Sequence, residues 1–288
     1  MLMRSLASIC VVIFALIVVW YLSAFVLNTP WAMDKAKRAG IEISSKELIL
    51  DTWSQEKPKL PAPHQVGLEI WKTTVEKKIT SKRSLIFHSW ITLSSTLVGF
   101  LIGTSLGILL AIGIVHNNAM NMSIMPWAIA SQTIPILAIA PMIIVVLNSI
   151  GVQGLLPKAI ISSYLCFFPV VVGMVKGLRS PDKIDKDLMH TYNATNFQKF
   201  WKLRLPTSMP FLFASLKVGI SASLVGAIVG ELPTGAVRGL GARLLAGSYY
   251  GQTIQIWSAL IMAAMLAAVL VGILALLQRF TLNRMGMT

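Results

Sequence analysis

The sequence predicts an all-α polytopic membrane protein with about six transmembrane helices. Hydrophobic residues make up 55% of the 288 and charged residues only 12%, about half the charged share of an ordinary soluble domain. The apolar residues gather into runs of the roughly 20 residues a helix needs to cross the hydrocarbon core. Most of the charges lie between these runs. From Leu85 to Val175 the one charged residue is Lys158, and from Leu244 to Gln278 there is none. A soluble core, a disordered chain and a coiled coil are all excluded by this composition.

The first run, Leu6–Leu27, follows Arg4. It is longer than the 7–15 apolar residues of a signal peptide and lacks a following small-x-small site, so a retained helix is expected over 1–27. Residues 28–84 form a polar segment carrying Glu42, Glu47, Asp51 and Glu56 and broken at Leu60-Pro61-Ala62-Pro63. Behind the break, Leu68, Trp71, Val75 and Ile79 share one face at helical spacing. Two readings stand: a helix lying on the membrane surface, or one packed against its own chain.

A core of about five helices is expected over 85–280, with 281–288 as a tail. In the run Ile86–Val115, the residues Ser95, Gly99, Gly103, Gly107 and Ala111 recur every four positions, a stripe that lets helices approach closely in lipid. The third run, Ile124–Ile150, holds Pro126, Pro135 and Pro141 with Gln132, Thr133 and Asn148. Each proline removes a backbone hydrogen bond, which lipid tolerates only beside compensating helices or a water-lined cavity. Gln132, Thr133 and Pro135 are therefore candidates for a substrate pathway, with a purely structural kink as the alternative. Further runs fall at Leu155–Val175, Pro206–Leu232 and Thr253–Leu277.

The net charge of +14 would suggest nucleic acid in a soluble chain. Here the basic residues sit at helix ends, where they set orientation and meet anionic lipid, and no nucleic-acid partner is expected. Loop 176–204 carries Lys176, Arg179, Lys183, Lys186, Lys199, Lys202 and Arg204, and Arg4, Arg279 and Arg284 fall on the same side. The positive-inside rule places that side in the cytoplasm, although residues 28–83 hold eleven basic residues of their own. Cys10, Cys166 and the scattered His64, His88, His116 and His190 show no metal-ligand spacing, so neither a metal nor a cofactor is expected.

The segment Ser180–Pro210 carries the clearest functional pattern. Ser180-Pro181-Asp182 predicts a helix start, with proline at the first helical position. Ile184, Leu188 and Tyr192 then align on one face. Asn193 is suited to left-handed geometry at a helix end. Thr195 to Gln198 reads as a capping box, and Phe197, Phe200 and Trp201 form an aromatic stripe behind it. Two short helices with an apolar face on a basic loop indicate a partner-binding surface. An aromatic belt at the lipid interface is the alternative.

On these residues the chain resembles the permeases of binding-protein-dependent ABC transporters, whose E-A-A-x3-G-x9-I-x-L-P loop docks on an ATPase. Asp187-Leu188-Met189 stands in place of Glu-Ala-Ala, Asn193 in place of the glycine, and Arg204-Leu205-Pro206 at the Leu-Pro end. The likeness extends to the nitrate, sulfonate and bicarbonate (taurine-type) branch, which also takes thiamine- and riboflavin-type heterocycles. It rests on Leu60–Pro63, Gly99-Phe100, the set Pro135, Ala138 and Pro141, and Glu231 followed by Gly239-Leu240-Gly241.

The resemblance implies a multi-pass permease of the bacterial inner membrane with a cytoplasmic coupling loop at 180–206. Its ATPase contact would use Asp187, Leu188, Asn193, Phe197, Phe200, Trp201, Leu205 and Pro206. A separate ATPase, an extracytoplasmic solute-binding protein and a second copy of the chain are the implied partners, with membrane lipid around them. The substrate would be a small anion or a thiamine- or riboflavin-type heterocycle. The chain has no Gly-x4-Gly-Lys-Ser/Thr phosphate loop, so ATP hydrolysis is assigned to another chain and no catalytic residue to this one. An ion-gradient-driven transporter is the runner-up; inverted repeats and mid-membrane carboxylate pairs, its usual marks, are not found. Lys217, inside the fifth run, would suit an anionic substrate or else snorkel to the interface, and with Ser223 on the same run it joins the candidates for the substrate pathway. Glu231 is expected to hold the turn that follows it by hydrogen bonds.

Overall fold

The computed structural model describes residues 2–40, 44–233 and 238–287, with side chains from residue 7 onward. The side chain of Arg4 and all of Glu42 lie outside the described residues. All the regular elements described are helical. Five helices are long and apolar enough to cross a membrane, and a bent pair counts as a sixth. The chain divides into two compact units, Met1–His88 with Arg243–Met262, and Ser89–Ala242 with Ala263–Thr288.

In the first unit, α1 (Leu2–Ala39) is a single helix of 38 residues. It runs past Leu27, where the apolar run ends, because Ala32, Met33, Lys35, Ala36, Lys37 and Arg38 are all good helix formers. Lys37 and Arg38 complement the negative end of the helix dipole, and Gly40 closes it at φ 66°. Val11, Val12, Phe14, Leu16 and Leu22 are exposed, as suits a helix solvated by lipid on most of its faces.

Asn28 anchors this helix to the next segment with four hydrogen bonds from a single side chain. It is buried; its Nδ2 donates to the carbonyls of Thr52 (3.0 Å) and Leu60 (2.9 Å), and its Oδ1 accepts from the amides of Lys59 and Leu60. The side chain thus ties α1 to the end of α2 (Ser45–Ser54) and to the Leu-Pro-x-Pro segment. Trp20 adds a hydrogen bond to the Pro61 carbonyl and a ring contact with Trp257.

The segment after the Leu-Pro-x-Pro break is helical as α3 (Pro63–Trp71), which a wide turn continues through Glu76; Ile79 lies beyond it. Val66 and Thr73 are buried, whereas Leu68, Trp71, Val75 and Ile79 are all exposed. The predicted stripe therefore faces outward, and the face that packs is a different one. Also in this unit, α11 (Leu240–Tyr249) contributes Arg243, which donates to the Arg83 carbonyl and pairs with Glu69 at 3.4 Å. Burial pulls this guanidinium below its usual pKa, and the Glu69 carboxylate pushes it back up.

The second unit is built on α4 (Leu85–His116), α7 (Leu155–Arg179) and α10 (Leu205–Glu231). Glycine makes their approach possible. A Cβ on Gly99, Gly103 or Gly107 would collide with Ser162, with Ser163 and Cys166, or with Val170 respectively. This ascending order sets α4 parallel to α7. On the other side, Gly173 meets Ser215, Gly177 meets Phe211, and Gly226 meets Ser162, a descending order that makes α7 and α10 antiparallel. The predicted small-residue stripe is thus one half of a two-sided seam.

The third predicted run is not one helix. It is α5 (Asn118–Ser131) and α6 (Ile136–Ser149), bent by 102° at Gln132–Pro135. Pro126 and Pro141 lie inside these helices, while Pro135, with no amide proton to donate, sits at the break. Ala140 and Ile144 of α6 pack with Ile161 and Val229. The last long helix, α12 (Thr253–Arg284), closes the chain.

Candidate functional site

The loop between α7 and α10 folds as two short helices, α8 (Lys183–Thr191) and α9 (Asn196–Lys199), followed by a wide turn over Phe200–Arg204 that runs directly into α10. The first helix starts two residues later than Ser-Pro-Asp suggests, since Asp182 holds the N-cap position and Pro181 is buried before it. Its other end follows the expectation. Asn193 is the one non-glycine residue with positive φ among those described, at 51°. The amide of Ala194 donates to the Met189 carbonyl and that of Asn193 to His190, both at 2.9 Å, which is the paired closure of a Schellman motif. Thr195 and Gln198 form the capping box, side chain to backbone in both directions.

This framework holds an apolar surface open. Nothing in α8 is buried: Ile184 is 81% exposed, Leu188 54% and Tyr192 76%. Asp187 is exposed beside them. Phe197 and Trp201 are likewise exposed, with their rings 6.0 Å apart. Phe200 does the opposite. It packs on the cluster formed by Ala111 and Ile114 of α4 and Val171, Met174, Val175 and Leu178 of α7. Its ring also meets His116 edge-on at 5.4 Å. Leu205 joins the same cluster, and Pro206 stands in the first turn of α10. The sequence stripe therefore splits into one inward anchor and two outward rings. Phe200 and Trp201 are successive residues and so point about 100° apart around the helix axis, while Phe197 and Trp201, four apart, share a face.

The pathway candidates do not form one site. Gln132 lines a cavity of about 180 Å³ together with Ser131, Tyr164 and Phe168, and Tyr164 donates to the Ser131 carbonyl at the elbow. Thr133 and Pro135 occupy the same exposed elbow. Ser223 instead is buried where α10 crosses α7, its carbonyl accepting from Ser162 at 2.8 Å. Lys217 lies on a separate cleft against α12.

Glu231 holds the turn after α10, as expected, and does so from full burial. Its carboxylate accepts the Gly241 amide at 2.8 Å and the Thr92 hydroxyl at 3.0 Å, and lies 3.9 Å from the Lys158 ammonium. Thr92 in turn accepts the Leu240 amide, and Lys158 donates to the Arg238 carbonyl. Gly239, at φ 123°, passes so close to the carboxylate that any Cβ would strike it. Sequence reasoning missed Thr92 and gave Lys158 no role. The signal for Lys158 was its isolation, since a lone charge in a long apolar stretch needs a partner.

Comparison with known proteins agrees with this architecture. The family model for the inner membrane component of binding-protein-dependent transport systems matches residues 103–286. The chain is 32% identical, over 63% of its length and 68% of the relative's, to the formylaminopyrimidine transport permease of Halalkalibacterium halodurans. It is 28% identical to the riboflavin transport system permease of Chloroflexus aurantiacus, covering 76% and 78% of the two chains. It is 25% identical to the nitrate import permease of Synechocystis, covering 80% and 82%. Leu60–Pro63 and Gly99-Phe100 precede the matched span. With five to six helices long and apolar enough to cross a membrane, three of them packed through glycines, the chain belongs to the binding-protein-dependent inner membrane components, as an ABC transporter permease and multi-pass inner-membrane transport subunit.

Proposed function

We propose that this permease serves an ATP-driven importer and that loop 180–206 is its coupling device, receiving a separate ATPase on the cytoplasmic side. The observation that carries this is the inversion within one turn of chain. Phe197 and Trp201 face out while Phe200 is wedged between α4 and α7. A lipid belt has no use for the charged Asp185, Lys186 and Asp187 interleaved with Ile184 and Leu188 on the same short helix; a protein surface does. Because α9, the wide turn and α10 are continuous, a pull on the outward rings is delivered to α10 and, through Phe200, to the contact of α4 with α7. Asp187 and Leu188 would supply the contact, Asn193 the fixed angle between the two helices, and Leu205 and Pro206 the rigid entry into α10.

In this reading residues 28–84 lie outside the membrane toward the solute-binding protein, 281–288 form a cytoplasmic tail, and a second copy of the chain completes the pathway. The elbow residues Gln132, Thr133 and Pro135 line it. The substrate is a thiamine- or riboflavin-type heterocycle, the reading favoured by the two relatives with the higher identities; a small anion is the second choice.

The test is co-purification of the ATPase with the native chain, with Asp187→Arg, and with the pair Phe197→Ala and Trp201→Ala, followed by uptake in proteoliposomes. Association and ATP-dependent uptake are expected for the native chain alone. Uptake that persists without ATP and collapses with an uncoupler would overturn the proposal. Ligand screening of the solute-binding protein then fixes the substrate.

A further inference from the structure

The structure contains a second polar site that the coupling loop and the elbow leave unused. Lys217, thirteen residues beyond Arg204 in α10, faces the C-terminal third of α12 across a cleft of about 430 Å³. Gln278, Arg279 and Asn283 line the cleft, with Leu276 and Leu282 as its apolar wall. Two cations and two amide side chains thus converge, and no acidic side chain lines the cleft among the described residues. Like charges sharing a partly apolar cleft repel each other and are desolvated; an anion between them removes both costs.

Leu276 of the cleft wall is itself exposed on α12. Val269, Ile273 and Leu276, spaced at helical intervals, are exposed along the same helix, so they offer a track for acyl chains beneath a basic head site. Arg284 does not compete for that role, since its guanidinium lies over the Phe280 ring at 4.3 Å. Nor does the cleft share any residue with the cavity at the elbow.

We propose that this cleft binds the phosphate of an anionic phospholipid, with Lys217 and Arg279 on the phosphate oxygens and the amides of Gln278 and Asn283 on the headgroup. Basic pockets between membrane helices bind anionic headgroups in this manner. The same chemistry would accept a soluble phosphate or sulfonate. The acyl track decides for the lipid. The site does not depend on the coupling role of the 180–206 loop.

The experiment is native mass spectrometry of the full-length, delipidated protein in mild detergent, titrated with phosphatidylglycerol or phosphatidylcholine. Native protein should form a one-to-one phosphatidylglycerol adduct with roughly tenfold preference over phosphatidylcholine. The preference should fall to about twofold or less in the double variant K217Q/R279Q. It should persist in the charge-keeping K217R/R279K and in K77Q/K78Q, which removes an equal charge elsewhere. An unchanged preference in K217Q/R279Q overturns the site, as does equal loss in K77Q/K78Q or loss in K217R/R279K. Displacement of the lipid by millimolar soluble glycerol phosphate or sulfonate overturns the lipid assignment in favour of a soluble anion.

Discussion

Two parts of the second unit depart from the usual distribution of residues in opposite directions. The 183–204 loop puts large apolar side chains outside, with Ile184, Tyr192 and Phe197 more than 70% exposed. The corner at the end of α10 puts charge inside, with Glu231 at 0% exposure beside Lys158. The corner satisfies itself: carboxylate, hydroxyl, ammonium and two backbone amides meet within a few residues of Gly239. The loop satisfies its backbone through the Schellman closure and the capping box but leaves Ile184, Leu188, Tyr192, Phe197 and Trp201 exposed. A region complete in itself is structural. One that is rigid in its backbone and incomplete in its side chains is built for a partner.

Substitutions can break this contrast, and their cost to the fold should descend from the corner to the loop. Glu231→Ala takes the carboxylate away from the buried Lys158 ammonium, the Thr92 hydroxyl and the Gly241 amide, and about 3–5 kcal/mol of stability is expected to be lost, read as a fall in thermal unfolding temperature in detergent. Glu231→Gln keeps most of the hydrogen bonds and should cost visibly less. Phe200→Ala empties a half-buried anchor and should cost about 2–3 kcal/mol. Its distinguishing mark is that coupling is lost even where the protein still folds.

Asn193→Val forces a β-branched residue into left-handed geometry at a cost of about 1–2 kcal/mol, whereas Asn193→Gly should be neutral or better. The least costly is Phe197→Ser with Trp201→Ser. Both rings are exposed, so stability should stay within about 0.5 kcal/mol while ATPase association disappears. If that pair unfolds the protein, or if Glu231→Ala leaves the unfolding temperature unmoved, the contrast between the two regions fails.

Much of this was legible in the residues. Apolar runs located α4, α7, α10 and α12, and the capping chemistry of Asn193, Thr195 and Gln198 emerged at the predicted positions, because both are local properties of the chain. What escaped was mostly set at a distance. Thr92 and Glu231 are 139 positions apart, and no periodicity connects them. Phe200 turns to the interior and Phe197 and Trp201 to the surface, and which of the aromatics meets the bundle is decided by packing on residues of α4 and α7 far away in the chain. The elbow at Gln132–Pro135 was marked by its prolines, but three prolines fall in one run and only packing shows which of them breaks it. The extension of α1 through Ala39 was hidden because hydropathy reports the solvent, not where a helix ends.

The glycine seams of α4, α7 and α10 carry a mechanical consequence. With a glycine on one side or the other at each close contact, helix backbones lie against neighbouring side chains with no slack volume between them. Such a trio cannot absorb an imposed displacement by repacking, so it transmits the displacement. In the coupling role proposed for loop 180–206 it would be a stiff lever arm with Phe200 as its fulcrum, and the bending that a change of access requires would fall to the exposed elbow between α5 and α6.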